Sequence, residues 1–280
     1  GGVRLEWSNN AKPEAVGVSS SVNLNEVSIP EDDEVEVTGS INETYRGLFA
    51  GGLGTESSPY LIATAEQFAN IGTLSDEMGE GTPYHFVLNA DIDLRTVTFS
   101  GAAVGEYFSG SIDGNGHSLI VNDSLSYLFM DAGGSAAFSN IDYQLISKGV
   151  MLCPGMTTER SVDLVFDNVD ISTVTDGEVI VIGQNEGLYV AFSGYSYTSD
   201  GWGAAHRNSL TLRNCDVDVD LSATSYNAVF IGGALYNTDA AVESCTYSGN
   251  YYGELVNLVL GNAANYVDSL LTVQNVVNNG

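Results

Sequence analysis

The apolar residues change sides of the chain within one short stretch, Leu210-Thr211-Leu212-Arg213-Asn214-Cys215-Asp216-Val217-Asp218-Val219-Asp220-Leu221. Leu210 and Leu212 alternate with polar residues, and beyond Asn214 the apolar positions shift by one residue. Side chains of a straight strand alternate between two faces, so a single strand cannot change parity in this way. Asn adopts the left-handed backbone conformation more readily than most residues with a side chain. The stretch therefore predicts two strands joined at a sharp corner at Asn214.

The same corner recurs along the chain. Five segments align: Phe138-Ser139-Asn140-Ile141-Asp142, Phe166-Asp167-Asn168-Val169-Asp170, Leu212-Arg213-Asn214-Cys215-Asp216, Val242-Glu243-Ser244-Cys245-Thr246 and Val273-Gln274-Asn275-Val276-Val277. Their third residues are 28, 46, 30 and 31 positions apart. An apolar run that ends in Gly also recurs, at 179–183, 228–232 and 258–261. A repeat of about 30 residues is typical of a solenoid, so we expect each repeat to form one coil of stacked parallel strands.

Stacked coils place equivalent residues above one another, about 4.8 Å apart. Their corner amides could then hydrogen-bond along a ladder, and one coil would interrupt it because Ser replaces Asn there. The corner residues of this predicted ladder are Asn140, Asn168, Asn214, Ser244 and Asn275.

Cys215 and Cys245 occupy equivalent positions of adjacent repeats. We expect two buried free thiols rather than a disulfide, because stacking alone does not guarantee the torsion angle that a disulfide requires. The chain has no C-x-x-C motif, so neither a disulfide scaffold nor a thiolate metal site is indicated.

A helix is expected before the repeats begin. Thr64 and Gln67 have capping-box spacing, and Phe68, Ile71 and Leu74 follow at helical spacing. The sequence beyond this helix predicts strands and turns.

The composition and residue pattern of the sequence change near residue 51. Residues 1–51 contain an acidic cluster at 31–34 and short alternating pieces, so we expect an appendage, a linker or a short β segment. Residues 52–280 are expected to form one domain.

The order of motifs over about residues 50–121 resembles the opening of right-handed parallel β-helix regions in large bacterial cell-surface proteins, including those with GLUG-type repeats. The motifs that carry it are Gly54-Thr55, Pro59-Tyr60, Ile62, Gln67-Phe68, Leu88–Leu94 and Phe108–His117. The later coils depart from the GLUG pattern, of which Ile231-Gly232-Gly233 is a fragment. The resemblance implies an all-β, right-handed parallel β-helix, or solenoid, with an N-terminal capping helix. Such regions serve as stalks, adhesive domains or attachments to catalytic domains, and pectate lyases share the fold.

Charge excludes several classes of partner. The chain has 8 Lys and Arg against 36 Asp and Glu, a net charge of −28. A surface of this charge repels nucleic acid and anionic lipid, and no run of 18 apolar residues is present to insert into a membrane. The sequence lacks H-E-x-x-H and G-x-S-x-G, so zinc and nucleophilic catalysis have no support.

A lyase of this fold would need a cation and a basic residue beside it. Asp216, Asp218 and Asp220, with Arg213 nearby, form the candidate group. Alternate strand residues are about 6.6–7 Å apart, so the three carboxylates need help from a neighbouring coil, such as Asp170, to hold Ca²⁺. The alternative is a solvated acidic face. No other cofactor is expected.

The 46-residue spacing implies an inserted segment at about residues 188–208. It is rich in aromatic residues among Gly and Ser, which suits recognition of sugar rings or of a protein. The alternative is that these aromatic side chains cover the flank of a coil. The candidate ligand-binding residues are Tyr195, Tyr197, Trp202, His206 and Arg207.

The sequence therefore favours a non-catalytic, extracellular or cell-surface domain that serves adhesion or the recognition of a glycan or a host or cell-surface protein. A polysaccharide lyase or glycoside hydrolase acting on an extracellular glycan is the first alternative, and a purely structural stalk is the second.

Overall fold

The structure, a computed structural model, describes residues 45, 47–156, 160–182, 206–223, 227–231, 237–252, 256–257, 259 and 269–279. The strands are β1 Tyr60–Ile62, β2 Tyr84–Leu88, β3 Ile92–Asp93, β4 Gly105–Asp113, β5 Ser118–Ile120, β6 Phe129–Leu145, β7 Gly155–Met156, β8 Asp163–Thr173, β9 Val179–Ile182, β10 Asn208–Arg213, β11 Asp216–Val217, β12 Asp220–Ala223, β13 Asn227–Ala228, β14 Thr238–Glu243, β15 Thr246–Tyr247, β16 Tyr251–Tyr252, β17 Val256–Asn257, β18 Leu270–Gln274 and β19 Val277–Asn278. The helices are α1 Ala65–Ala69 and α2 Ser75–Gly79, with 3₁₀ turns at Asn70–Leu74 and Leu94–Thr96.

The fold is an all-β parallel solenoid of about six turns, as the repeat predicted. The main sheet runs β1-β2-β4-β6-β8-β10-β14-β18, and each neighbouring pair is parallel. A second parallel sheet stacks β3, β5, the end of β6, the end of β8, β11, β15 and β19. A third contains β9, β12 and β16. The three coils that contain β9, β12 and β16 therefore contribute a strand to all three sheets.

The corner between the first two sheets has the predicted left-handed backbone. The five corner residues have φ between 52 and 56°. They are Asn140, Asn168, Asn214, Ser244 and Asn275. The change of parity is also confirmed at Asn140, Asn168 and Asn214, because the residues on both sides of these corners alternate between buried and outward positions. The corner thus turns the chain while keeping the apolar side chains inside both sheets.

The predicted amide ladder is present in part. Asn168 Nδ2 donates to Asn140 Oδ1 (3.1 Å), and Asn140 Nδ2 donates to Asp113 Oδ1 (3.0 Å). Asn214 departs from the prediction, since its Nδ2 donates to Asp167 Oδ1 (3.1 Å) rather than to Asn168. A carboxylate accepts a stronger hydrogen bond than a neutral amide, which explains the change of partner.

The interior is a stack of buried side chains along the solenoid axis. The ring centroids of Phe86 and Phe108 are 6.2 Å apart, and those of Phe108 and Phe138 are 5.1 Å apart. Phe138 stacks on Phe166 at 5.4 Å with an interplanar angle of 12°. Leu212 continues the column in register with Phe166. Burial of each such side chain contributes about 1.5–3 kcal/mol, so the aligned columns are the main source of stability.

The predicted helix forms as a continuous segment from α1 through the 3₁₀ turn to α2. Thr64 caps it, accepting from Gln67 N (3.3 Å), while Gln67 Oε1 accepts from Ala63 N (2.8 Å) instead of from the Thr64 amide. Phe68, Ile71 and Leu74 are fully buried, as the spacing predicted. The segment covers the first coils as a cap.

Residues just before the expected boundary at 52 also pack on the first coil. Phe49 stacks on Tyr60 with ring centroids 4.4 Å apart. The hydroxyls of Tyr45 and Tyr84 donate to the two oxygens of Glu77 on α2. The hydrogen bond between Tyr45 and Glu77 raises the pKa of Tyr45 to about 12. Residues 1–44, the rest of the expected appendage, lie outside the described residues.

One alignment of apolar runs was wrong. The described part of the run at 228–232 lies beside the chain at 256–259, because Ala228 pairs with Asn257 and Ile231 N donates to the Val259 carbonyl (2.8 Å). The run at 179–182 belongs to another face, since Val179 pairs with Asp220 rather than with Ala228. An apolar run marks any inward-facing strand, so similarity between two runs does not show that they share a face.

We predict that Asn214→Ala lowers the free energy of unfolding by about 2 kcal/mol, because Ala is strained at φ +54° and the bond to Asp167 is lost. Denaturant unfolding followed by circular dichroism measures the change. Asn214→Gly is the matched control, since Gly tolerates this φ and removes the side chain. Equal losses in the two variants would show that the left-handed corner does not contribute.

Candidate functional site

The outward face of the second sheet carries a column of carboxylates. Asp142 pairs with Asp170 in register, and Asp216 lies opposite Asp170 because the next residues, Val217 and Ile171, are paired. Asp142 Oδ2 accepts from Ser118 Oγ and from Gln144 Nε2, both at 2.8 Å. We call Asp142, Asp170 and Asp216 the acidic column. Its members are the fifth residues of three aligned repeats, so the repeat itself marks the column in the sequence.

Electrostatic repulsion within the acidic column is visible at its centre. Partial burial and then the charges of Asp216 and Asp142 raise the pKa of Asp170, although the Asp216 backbone N–H hydrogen-bonds its carboxylate. Like charges directly opposite one another destabilise a sheet. The column therefore opposes folding at neutral pH.

The three predicted calcium ligands do not converge. Asp216 and Asp218 are exposed and point away from the core, and Asp220 Oδ1 accepts from Asn250 N (2.8 Å) and Asn250 Nδ2 (2.9 Å). Within the described part of the chain, no group of three or more His, Cys, Asp or Glu side chains is arranged to hold a metal ion. Calcium binding at these residues stays a prediction.

Arg213, the predicted basic partner, binds a carboxylate of the preceding coil. Its Nη2 donates to Asp167 Oδ2 (2.8 Å), and the pairing raises the pKa of Arg213 and lowers that of Asp167. Both side chains are on the main sheet, one residue before the corner, whereas Asp216 lies beyond the corner on the second sheet. A guanidinium held in this way is poorly suited to accept a proton from a substrate.

The base of the insertion is tied to the following coil. Arg207 Nε donates to Asp239 Oδ2 (2.7 Å), and Arg207 Nη1 donates to Asn237 Oδ1 (3.3 Å). Asn237 Nδ2 donates to the carbonyl of His206 (2.7 Å). Asn208 continues the connection, accepting from Val162 N at 3.0 Å. The chain leaving the insertion is therefore held by coils on both sides.

The strand registers locate the extra residues. Ile171 pairs with Val217, 46 positions later, but Val179 pairs with Asp220, only 41 later. Five extra residues therefore lie between Ile171 and Val179. The next coil has an offset of 30, from Leu221 to Tyr251, so the other 11 extra residues lie after Ile182. Tyr195, Tyr197 and Trp202 fall in this part of the chain, outside the described residues.

A carboxyl that the sequence did not indicate lies elsewhere on the solenoid. Burial and then the charge of Glu106 raise the pKa of Asp131 to about 6. A Cβ at Gly155, its partner in the neighbouring strand, would lie 1.8 Å from Asp131 Oδ1, so only Gly leaves room for this carboxyl. No motif marks the position, because the environment of Asp131 is made by strand pairing.

Comparisons with known proteins show limited similarity. No family model matches the chain. A protein of Evansella cellulosilytica described as "Putative Gly-rich membrane protein" is 38% identical over 87 residues, which is 29% of this chain and 10% of that protein. Among the described residues, no helix is long and apolar enough to cross a membrane.

A solved structure is similar at low identity. It is the crystal structure of "a putative immunoglobulin A1 protease" from Bacteroides ovatus, with 19% sequence identity and a TM-score of 0.42, covering 82% of this chain and 80% of that chain. The similarity at this score carries no inference about activity. The class of protein, a parallel β-helix, rests on the registers of this chain.

We predict that Asp170→Asn stabilises the protein at pH 7 by a few tenths to about 1 kcal/mol. Folding raises the pKa of Asp170, so its ionisation costs stability as pH rises through that pKa, and Asn removes the cost. Thermal unfolding at neutral pH should show the gain, and the gain should disappear at acidic pH, where the carboxyl is protonated.

The matched control is Asp218→Asn, which removes the same charge from an exposed outward position outside the acidic column. A similar gain in both variants would mean that net charge, rather than the stacking of carboxylates, sets the effect.

Proposed function

We propose that this protein is a non-catalytic recognition domain, displayed outside the cell, in which the β-helix holds the segment at residues 183–205 for binding a glycan. The observation that carries the proposal is the register around the insertion. Strands before and after it pair with the same neighbours as in uninterrupted coils, while 11 surplus residues are accommodated between them. A long insertion between the stacked strands of a solenoid is a common place for a binding site.

The anchored base supports this role. Arg207 is bound to Asp239 and Asn237, and Asn237 binds the His206 carbonyl, so the two residues that follow the segment are tied to the next coil. β9, which ends just before the segment, pairs with β12. A fixed base lowers the conformational entropy that binding would cost. His206 and Arg207 are therefore proposed to position the segment, in addition to their predicted role as ligand contacts.

The composition of the segment suits a neutral carbohydrate. Tyr195, Tyr197 and Trp202 offer aromatic faces for the apolar side of sugar rings, with polar groups at their edges. The net charge of −28 disfavours polyanionic ligands such as uronate polymers. A neutral glycan thus fits better than the acidic substrate of a pectate lyase.

The lyase alternative has less support. It requires a base beside a cation site, yet Arg213 is paired with Asp167, and Asp220 is bound by Asn250. Asp216 and Asp218 remain as exposed carboxylates on a different sheet from Arg213.

The proposed location outside the cell rests on the fold resemblance and the acidic composition. The Evansella relative is described as a membrane protein, which agrees with a position at the cell surface for this chain.

The test is a glycan array combined with a polysaccharide-cleavage assay, each with and without Ca²⁺. We expect binding without cleavage, and we expect Trp202→Ala to weaken it at least tenfold, because truncation of an aromatic hot spot typically costs about 2 kcal/mol or more. Tyr252→Ala, which removes an aromatic side chain that is 52% exposed on the solenoid, is the matched control and should bind normally.

A deletion of residues 192–202 removes 11 residues and restores a 30-residue offset between the flanking strands. We expect it to fold, as judged by circular dichroism, and to lose binding. Full binding by the deletion variant would contradict the proposal, and Ca²⁺-dependent release of unsaturated oligosaccharides would establish the lyase instead. Binding only to a protein partner would contradict the choice of a glycan.

A further inference from the structure

Two cysteine side chains lie next to each other inside adjacent coils. Cys215 and Cys245 each follow a left-handed corner residue, and each is fully buried. Their strands are in register, with Thr246 N donating to the Cys215 carbonyl (3.0 Å). Cα atoms of neighbouring strands are about 4.8 Å apart, within the range of about 4.4–6.8 Å that disulfides span. The two Sγ atoms are placed alike, since Cys215 donates to the Arg213 carbonyl (3.3 Å) and Cys245 donates to the Glu243 carbonyl (3.4 Å).

The thiolate is the nucleophile in disulfide exchange, and burial disfavours ionisation of a thiol. Either cysteine therefore reacts only once it becomes accessible.

Access to Cys245 depends on the coil that contains β18 and β19. That coil stacks on it, and Val277 N donates to the Cys245 carbonyl (3.0 Å). An oxidant therefore reaches the pair when these strands separate locally, or before they have stacked during folding.

We propose that Cys215 and Cys245 form a modification site, at which a small-molecule disulfide oxidant converts the two thiols into a disulfide that links adjacent coils. With oxidised glutathione, the thiolate of one cysteine attacks a sulfur and releases one glutathione thiolate. The other cysteine then gives its proton to solvent and attacks the protein sulfur of the mixed disulfide, releasing the second glutathione. The protein loses two electrons and two protons, and the oxidant becomes two thiols. Both thiols are free in the structure, which is the reduced state of the site.

The experiment is alkylation after oxidation. The purified protein is incubated with oxidised glutathione, unfolded in denaturant with an alkylating reagent, and digested with trypsin. No Lys or Arg follows Arg213, so both cysteines fall on the peptide 214–280, whereas Cys153 lies on the peptide 149–160. We expect the peptide 214–280 to be unalkylated and lighter than its reduced form by two hydrogen atoms. The number of alkylated cysteines should fall from three to one.

Three variants separate this site from general oxidation. Cys153→Ser should still form the link, since Cys153 is buried elsewhere and contacts the Gly155 carbonyl. Cys215→Ser and Cys245→Ser should each lack it. The oxidised wild type should also unfold at a higher temperature than the reduced protein, and neither of the latter two variants should show this shift.

Slow access is addressed by refolding the denatured, reduced protein in the same oxidant. Alkylation of all three cysteines after both treatments would overturn the proposal. A stable mixed disulfide at Cys215 or Cys245 without ring closure, or a bond that involves Cys153, would also overturn it.

Discussion

The backbone conformation at the corner is the constraint on which the rest of this structure depends. Each coil has to turn sharply while its strands stay in register with the coil below, and a residue at φ near +54° makes that turn within one position. The same turn reverses the parity of inward side chains, so a regular alternation on each side keeps the core apolar. Without the left-handed residue, one of the two sheets would present its polar side to the interior.

In-register stacking then acts on every column of side chains in the same way, whether the result is favourable or not. It aligns Phe138 with Phe166 in a stacked aromatic pair, and it equally aligns Asp142 with Asp170. Apolar columns gain from burial, while a column of carboxylates repels itself. The structure offsets part of that cost with donors such as the Asp216 backbone N–H. Stacking also brings two thiols into contact.

The strands on either side of the insertion keep their regular pairing. Before it β9 pairs with β12, and after it β10 pairs with β8 and β14. Arg207 connects the returning chain to Asp239 on the next coil, and Arg213 is engaged by Asp167. The proposal of recognition rather than catalysis rests on these contacts.

Much of the fold was predictable from sequence because the same local pattern of residues recurs in several repeats. The corner at Asn214, the inward positions around it and the capped helix with Phe68 all follow from short-range periodicity, and all are confirmed. The error at residues 179–182 has the opposite origin. Its apolar pattern was read correctly, but the face to which it belongs depends on how many residues the preceding turn contains.

Some features of the candidate site were likewise predictable from sequence, and others were not. Sequence alone determined the charge of the surface, the corner residues, the stacking of Cys215 on Cys245 and the existence of surplus residues, because each follows from composition or spacing. Only the tertiary structure decided that Arg213 is bound to Asp167, that Asp220 is bound by Asn250 and that the surplus divides around residues 179–182. The physical reason is that these side chains hydrogen-bond to residues of the neighbouring coils. Those residues are about 30 to 46 positions away in the sequence, so a local sequence pattern does not show which of them come within reach.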